Sequence, residues 1–131
     1  MADEAWAESQ LTADERTLWR RMGNQDRRHA ATVARRFEAA RAGEAIRAEI
    51  AGALLHDVGK VDAGLGTFAR VLATVLPARW RRGRYARYHR HEAIGAEWCR
   101  EAGSEPVTVA LVQGVGAPDE VLAALQTADD I

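Results

Sequence analysis

The chain has a single cysteine, Cys99, so no disulfide can form within it, and a reducing cytoplasmic setting is expected. It has a single lysine, Lys60, and all other basic side chains apart from histidine are arginine. That bias reflects coding composition as readily as chemistry, so arginine clusters are weak evidence here. No apolar run approaches the ~20 residues of a membrane span. The opening Met1-Ala2-Asp3-Glu4 is acidic and lacks the basic-then-apolar order of a secretory leader. Neither membrane attachment nor export is therefore expected. A net charge of −1 excludes a globally basic nucleic-acid coat and an acidic tail protein. Strand-like alternation of apolar and polar residues is absent.

Helix-forming sequence fills the space. The 131 residues are 47% hydrophobic and 28% charged, the composition of one globular domain. A chain of this size buries about two-thirds of its unfolded surface and needs no disulfide. The reading is all-α, a single compact bundle of about six or seven helices over 11–131, with 1–10 as an N-terminal extension. Thr12 and Glu15 are spaced as a capping box ahead of an apolar face of Leu18, Trp19 and Met22. After a break at 23–25, Asp26 is expected to open a second helix, with Val33 and Phe37 on one stripe and an end near Gly43. A third begins near Glu44, carries Ile46, Ile50 and Leu54, and is expected to stop at a left-handed Gly59.

A glycine-rich loop at 63–66 leads to a short helix bearing Phe68, Val71, Leu72 and Val75, stopped by Pro77. The basic stretch 79–90 has no clear assignment. A helix then begins at about His91, with Ile94 and Trp98 in register, and Gly103 closes it. Pro106 and Pro118 open the last two helices.

Ionisable residues interrupt the apolar stripes at four places. His29 shares the face of Val33 and Phe37, lying four residues before the first. Asp57 continues the row of Ile50 and Leu54, and His56 sits about 100° round the helix from it. Asp129 follows Leu125 by four, whereas Asp130 is rotated away. Buried carboxylates are normally paired or metal-bound, because an unpaired one costs several kcal/mol. Two imidazoles and two carboxylates can satisfy one another around one divalent ion, Mn²⁺, Fe²⁺, Co²⁺, Ni²⁺ or Zn²⁺, with Mg²⁺ less well served. Water on such an ion ionises near neutral pH and becomes a nucleophile. The plainer alternative is an apo bundle in which His56 and Asp57 simply pair, His29 is a hydrogen-bonded core or surface residue and Asp129 is a solvated helix-end carboxylate.

The run Leu54-Leu55-His56-Asp57-Val58-Gly59-Lys60 resembles the signature of the HD-domain metal-dependent phosphohydrolase superfamily. The family order is a His, an adjacent His-Asp and a distant Asp, which fall here on His29, His56, Asp57 and Asp129. The likeness spans the chain from about Leu11 and includes His91-Glu92-Ala93-Ile94-Gly95-Ala96-Glu97, similar to a helix start in many members. It implies an all-α fold around a central metal and hydrolysis of phosphomonoesters or phosphodiesters, often of nucleotides. Members with two metals carry further histidines, but Val112-Gln113-Gly114-Val115-Gly116 has none, so one metal is expected. The Gly-Tyr-Pro element of the cyclic-dinucleotide branch is missing, and that substrate is not carried over.

The metal ligands expected are thus His29, His56, Asp57 and Asp129, and the catalytic candidates are Asp57, Lys60 and His91. Lys60 can reach a phosphate oxygen or simply favour a helix C-terminus. His91 can protonate a leaving group or bind phosphate, or lie at the surface. His89 is read as structural. Arg79, Arg81, Arg82, Arg84, Arg87 and Arg90, interleaved with Trp80, Tyr85 and Tyr88, can cradle an anion and stack on a base, or form a solvated loop. The partners expected are a small phosphorylated or nucleotide substrate and, for assembly, a homodimer; nucleic acid and membrane are not expected. The alternative reading is a nucleotide-binding or signalling module of the same fold without turnover.

Overall fold

The computed structural model describes residues 2–60 and 83–130. Among them are seven helices and no strand. They are α1 (Ala2–Ser9), α2 (Ala13–Arg21), α3 (Asn24–Ala40), α4 (Arg47–Leu55), α5 (Gly83–Glu101), α6 (Pro106–Gln113) and α7 (Asp119–Asp129). The glycine-rich loop at 63–66, the helix expected around Phe68 to its stop at Pro77, and Arg79, Trp80, Arg81 and Arg82 lie outside the described residues. No helix among the described residues is long and apolar enough to cross a membrane.

The centre of the fold is α4. Every residue from Ala48 to Leu55 is buried, as expected of a helix with no polar face. Helices α2, α3 and α6 pack against it. The approach of α6 is close enough to require glycine: a Cβ at Gly52 would lie 2.8 Å from both Cβ and Cδ1 of Leu111. Nearby, the buried Thr108 hydroxyl donates to the Ala48 carbonyl at 2.7 Å. Gly52→Ala should therefore destabilise the protein although alanine is the better helix former. The overpacking penalty of ~1–3 kcal/mol outweighs a propensity gain of ~1 kcal/mol. Urea unfolding with a lowered midpoint would bear this out, and a raised midpoint would refute it.

The capping box forms as the spacing predicts. Glu15 N–H donates to Thr12 Oγ1 at 3.2 Å, and Thr12 N–H donates to Glu15 Oε1 at 2.9 Å. Leu18, Trp19 and Met22 are buried behind it. The Glu15 carboxylate does more than cap. It is fully buried, and it also accepts from Arg47 Nη1 at 3.2 Å and from the Ser104 hydroxyl at 2.7 Å. One side chain thereby ties α2 to the start of α4 and to the turn between α5 and α6.

Residues 2–9, ahead of the expected domain, form a helix that packs on α3. Ala7 is fully buried, the Arg35 guanidinium lies 3.8 Å from the Trp6 ring centre, and Arg27 pairs with Glu4 at 2.7 Å.

Several helix boundaries differ from the sequence reading. Helix α3 starts two residues before Asp26, with Gly23 as its N-cap. Helix α4 starts at Arg47, and Ile46 is its N-cap, 55% exposed rather than part of the buried stripe. It ends at Leu55, well before Gly59, and Gly59 is not among the glycines with positive φ. The reason is local. His56 turns its ring back and donates from Nδ1 to the Ala53 carbonyl at 2.6 Å, occupying a carbonyl at the helix end. A short tight turn then runs over 58–60, with Lys60 N–H donating to the Asp57 carbonyl at 3.0 Å.

Helix α5 begins at Gly83, so His91 lies inside a helix and not at its start. Arginine is a good helix former and no proline interrupts 83–101, so the basic stretch continues the helix. Gly103, at φ +76°, closes it as expected, and Ser104 N–H reaches back to the Cys99 carbonyl at 2.9 Å. Pro106 is the first residue of α6, and Pro118 caps α7.

Candidate metal centre

Three helices deliver the site. Helix α3 carries His29 in its second turn, α4 ends on His56 as its C-cap with Asp57 next, and α7 finishes at Asp129. Because α3 packs against both α4 and α7, side chains 100 residues apart in sequence meet. Asp129 Oδ1 is the meeting point. It lies 3.3 Å from His29 Nε2 and 3.3 Å from His56 Nε2. His56 Nε2 is also 3.3 Å from Asp57 Oδ2. One donor atom each from His29, Asp57 and Asp129 fall within 4.8 Å of one another. The four residues singled out in the sequence are thus neighbours, while Asp130 is exposed and stands off as the C-cap of α7.

Their burial is graded. The side chains of His56 and Asp57 are 10% and 22% exposed, and those of Asp129 and His29 are 41% and 49% exposed. His56 is the floor of the cluster, and His29 and Asp129 form its open side. This corrects the expectation of a uniformly inward row. Asp57 lies beyond the end of α4, so it is displaced from the line of Ile50 and Leu54, which are buried. His29 sits toward the end of its stripe, where the face of Val33 and Phe37 runs out to solvent.

The donor chemistry fits a divalent cation. The bond to the Ala53 carbonyl places the His56 ring proton on Nδ1, which leaves Nε2 with a lone pair in the neutral ring. That lone pair faces two carboxylate oxygens, an arrangement that is repulsive unless a proton or a cation lies between them. A second ring nitrogen donating to a backbone carbonyl is also how ligating histidines are usually oriented. Both α4 and α7 end at the cluster, and helix C-termini favour positive charge.

The electrostatics of the free cluster carry the same imprint. Burial pushes the His56 imidazole down, but the hydrogen bond with Asp129, the Asp57 charge and the Ala53 carbonyl outweigh it, so its pKa is raised above the ordinary 6.5. The hydrogen bond with His56 holds Asp129 down to about 2 against the opposing effect of its own burial, with His29 adding to the lowering.

Lys60 stands at the rim, half-exposed, with Nζ 3.5 Å from Asp57 Oδ2. His91 and its neighbours Arg84, Tyr85, Arg87, Tyr88, His89 and Arg90 belong to α5, and their side chains lie outside the described residues. Cys99 is buried, and burial pushes its thiol up to about 12, as for a small packing residue and not a nucleophile. One contributor carried no signal in the sequence: the Ala53 carbonyl orients His56 through its backbone. Comparison of the chain with protein-family models, with curated proteins and with solved structures gives no match.

Proposed function

We propose that the chain is a metal-dependent phosphohydrolase of the HD-domain type, acting on a small phosphate ester or nucleotide. The observation that supports this reading is the convergence of two imidazole Nε2 atoms and the Asp57 carboxylate about Asp129. His29, His56, Asp57 and Asp129 would hold one ion of the Mn²⁺, Fe²⁺, Co²⁺, Ni²⁺ or Zn²⁺ class. Such an ion supplies Lewis acidity, making water more acidic and screening phosphate charge. Around it, the chain supplies orientation and charge. His56 is locked by Ala53, Asp129 presents a fixed negative charge, and Asp57 adds a second carboxylate. Lys60 offers a cation to a phosphate oxygen, and we assign the leaving-group proton to His91. The single buried thiol suits a cytoplasmic setting.

The test is a titration of metal-stripped protein with Mn²⁺, followed by assay of p-nitrophenyl phosphate and a nucleotide panel. Binding of a single ion per chain with Mn²⁺-dependent hydrolysis is expected, and Asp57→Ala should abolish both. Tight nucleotide binding without product would transfer the assignment to a binding or signalling module. Absence of Mn²⁺ binding would refute the centre itself.

A further inference from the structure

We infer that Gly95 is a positioning residue for the cation site: by letting α5 lie directly on the turn over 58–60, it sets where Asp57 and Lys60 stand. This rests on the metal-centre reading. A Cβ built at Gly95 would lie 3.1 Å from the Gly59 nitrogen, 3.2 Å from Val58 Cγ1 and 3.0 Å from Val112 Cγ1. The contact is enclosed: Gly95, Val58, Gly59 and Val112 are all buried. One of the three atoms is backbone, so it cannot swing aside as the end of a flexible side chain would. Val112, on α6, crowds the same position, with its Cγ1 the nearest of the three atoms.

An added methyl group therefore presses on the turn, and the turn is short. Lys60 N–H donates to the Asp57 carbonyl at 3.0 Å, so the backbone that moves with Gly59 is the backbone that carries Asp57. Asp57 in turn faces His56 Nε2 at 3.3 Å and Lys60 Nζ at 3.5 Å. A shift of a few tenths of an ångström at Gly59 reaches the donor set through one residue. Gly95 itself touches none of the donor atoms, so it acts through the turn and is not a ligand.

The experiment compares Gly95→Ala with Leu18→Ala. Leu18 is a buried residue of α2, a helix that supplies no donor to the site. For each folded variant the Mn²⁺ dissociation constant is measured by calorimetry, and the amide resonances of Asp57 and Lys60 are recorded without metal. Gly95→Ala is expected to weaken Mn²⁺ binding by about tenfold or more, as disturbing the surroundings of a ligand does, and to shift both resonances. Leu18→Ala is expected to lower thermal stability while leaving affinity and resonances unchanged. Unchanged affinity in a folded Gly95→Ala protein, or equal weakening in both variants, overturns the inference. If Gly95→Ala does not fold, Val58→Ala is read in its place: loosening the same contact from the turn side should weaken Mn²⁺ binding, and unchanged binding overturns the inference. An unaltered chain that binds no Mn²⁺ refutes the proposed function and this inference with it, whereas normal binding by the unaltered chain with unaffected variants refutes this inference alone.

Discussion

Replacing His56 by alanine is expected to abolish Mn²⁺ binding and, with it, hydrolysis of phosphate esters, while helix content stays intact. His56 is the most buried of the four donors, and its Nε2 lies 3.3 Å from both Asp57 and Asp129. Its loss leaves two carboxylates and a half-exposed His29, a donor set with one nitrogen fewer. The loss in affinity should exceed the roughly 10–100-fold that follows from disturbing an outer partner of a ligand.

The same geometry sets the sign of the pH effect. The cation competes with the proton that His56 holds above its ordinary 6.5, so affinity should fall as pH drops through that raised value. Asp129, held at about 2, stays ionised throughout and contributes nothing to the slope near neutrality. Calorimetric titrations at a series of pH values give the answer, and an affinity that rises on acidification would contradict the assignment. In the metal-free chain the two shifts act oppositely on stability. The His56 contribution is complete below 6.5 and is lost as pH rises through its folded value. The Asp129 contribution is complete above 3.8 and is lost as pH falls toward about 2.

Glu15→Ala is expected to destabilise the fold by ~3 kcal/mol or more, near the lower end of what breaking a buried ion pair costs. The lower end applies because Arg47 keeps 39% of its side chain in water. Three partners lose an acceptor at once: the Thr12 N–H, the Ser104 hydroxyl and the Arg47 guanidinium, which keeps the Gln10 carbonyl. Losing a cap alone accounts for only ~1 kcal/mol, so the size of the effect separates a cap from a hub. Glu15→Gln keeps an acceptor oxygen and should lose less. Denaturant unfolding of both variants decides it, and a loss no larger than that of a cap would reduce Glu15 to its local role.

Local chemistry was readable in the sequence wherever the interaction is short in range. The Thr12–Glu15 box, the proline starts of α6 and α7 and the glycine end at Gly103 all depend on neighbours within a few residues. The His29, His56, Asp57 and Asp129 pattern was readable because apolar stripes make an ionisable residue conspicuous. The spacing gave no hint that His56 ends its own helix, since that depends on a ring turning back onto Ala53. It also misplaced Ile46, which periodicity assigns to the core although the chain has not yet entered the helix there. The three-way grip of Glu15 and the close approach at Gly95 arise from packing between elements distant in sequence, which no local pattern encodes.

Because the donors come from the beginning, middle and end of the polypeptide, an unfolded chain offers no ready-made set of them. An ion that occupies the cluster acts as a clasp fastening the first third of the molecule to its last helix. By mass action, an excess of about a hundred times the dissociation constant adds ~2.7 kcal/mol to resistance against unfolding. On the proposed metal-centre reading, metal supply would then govern how long the folded protein survives.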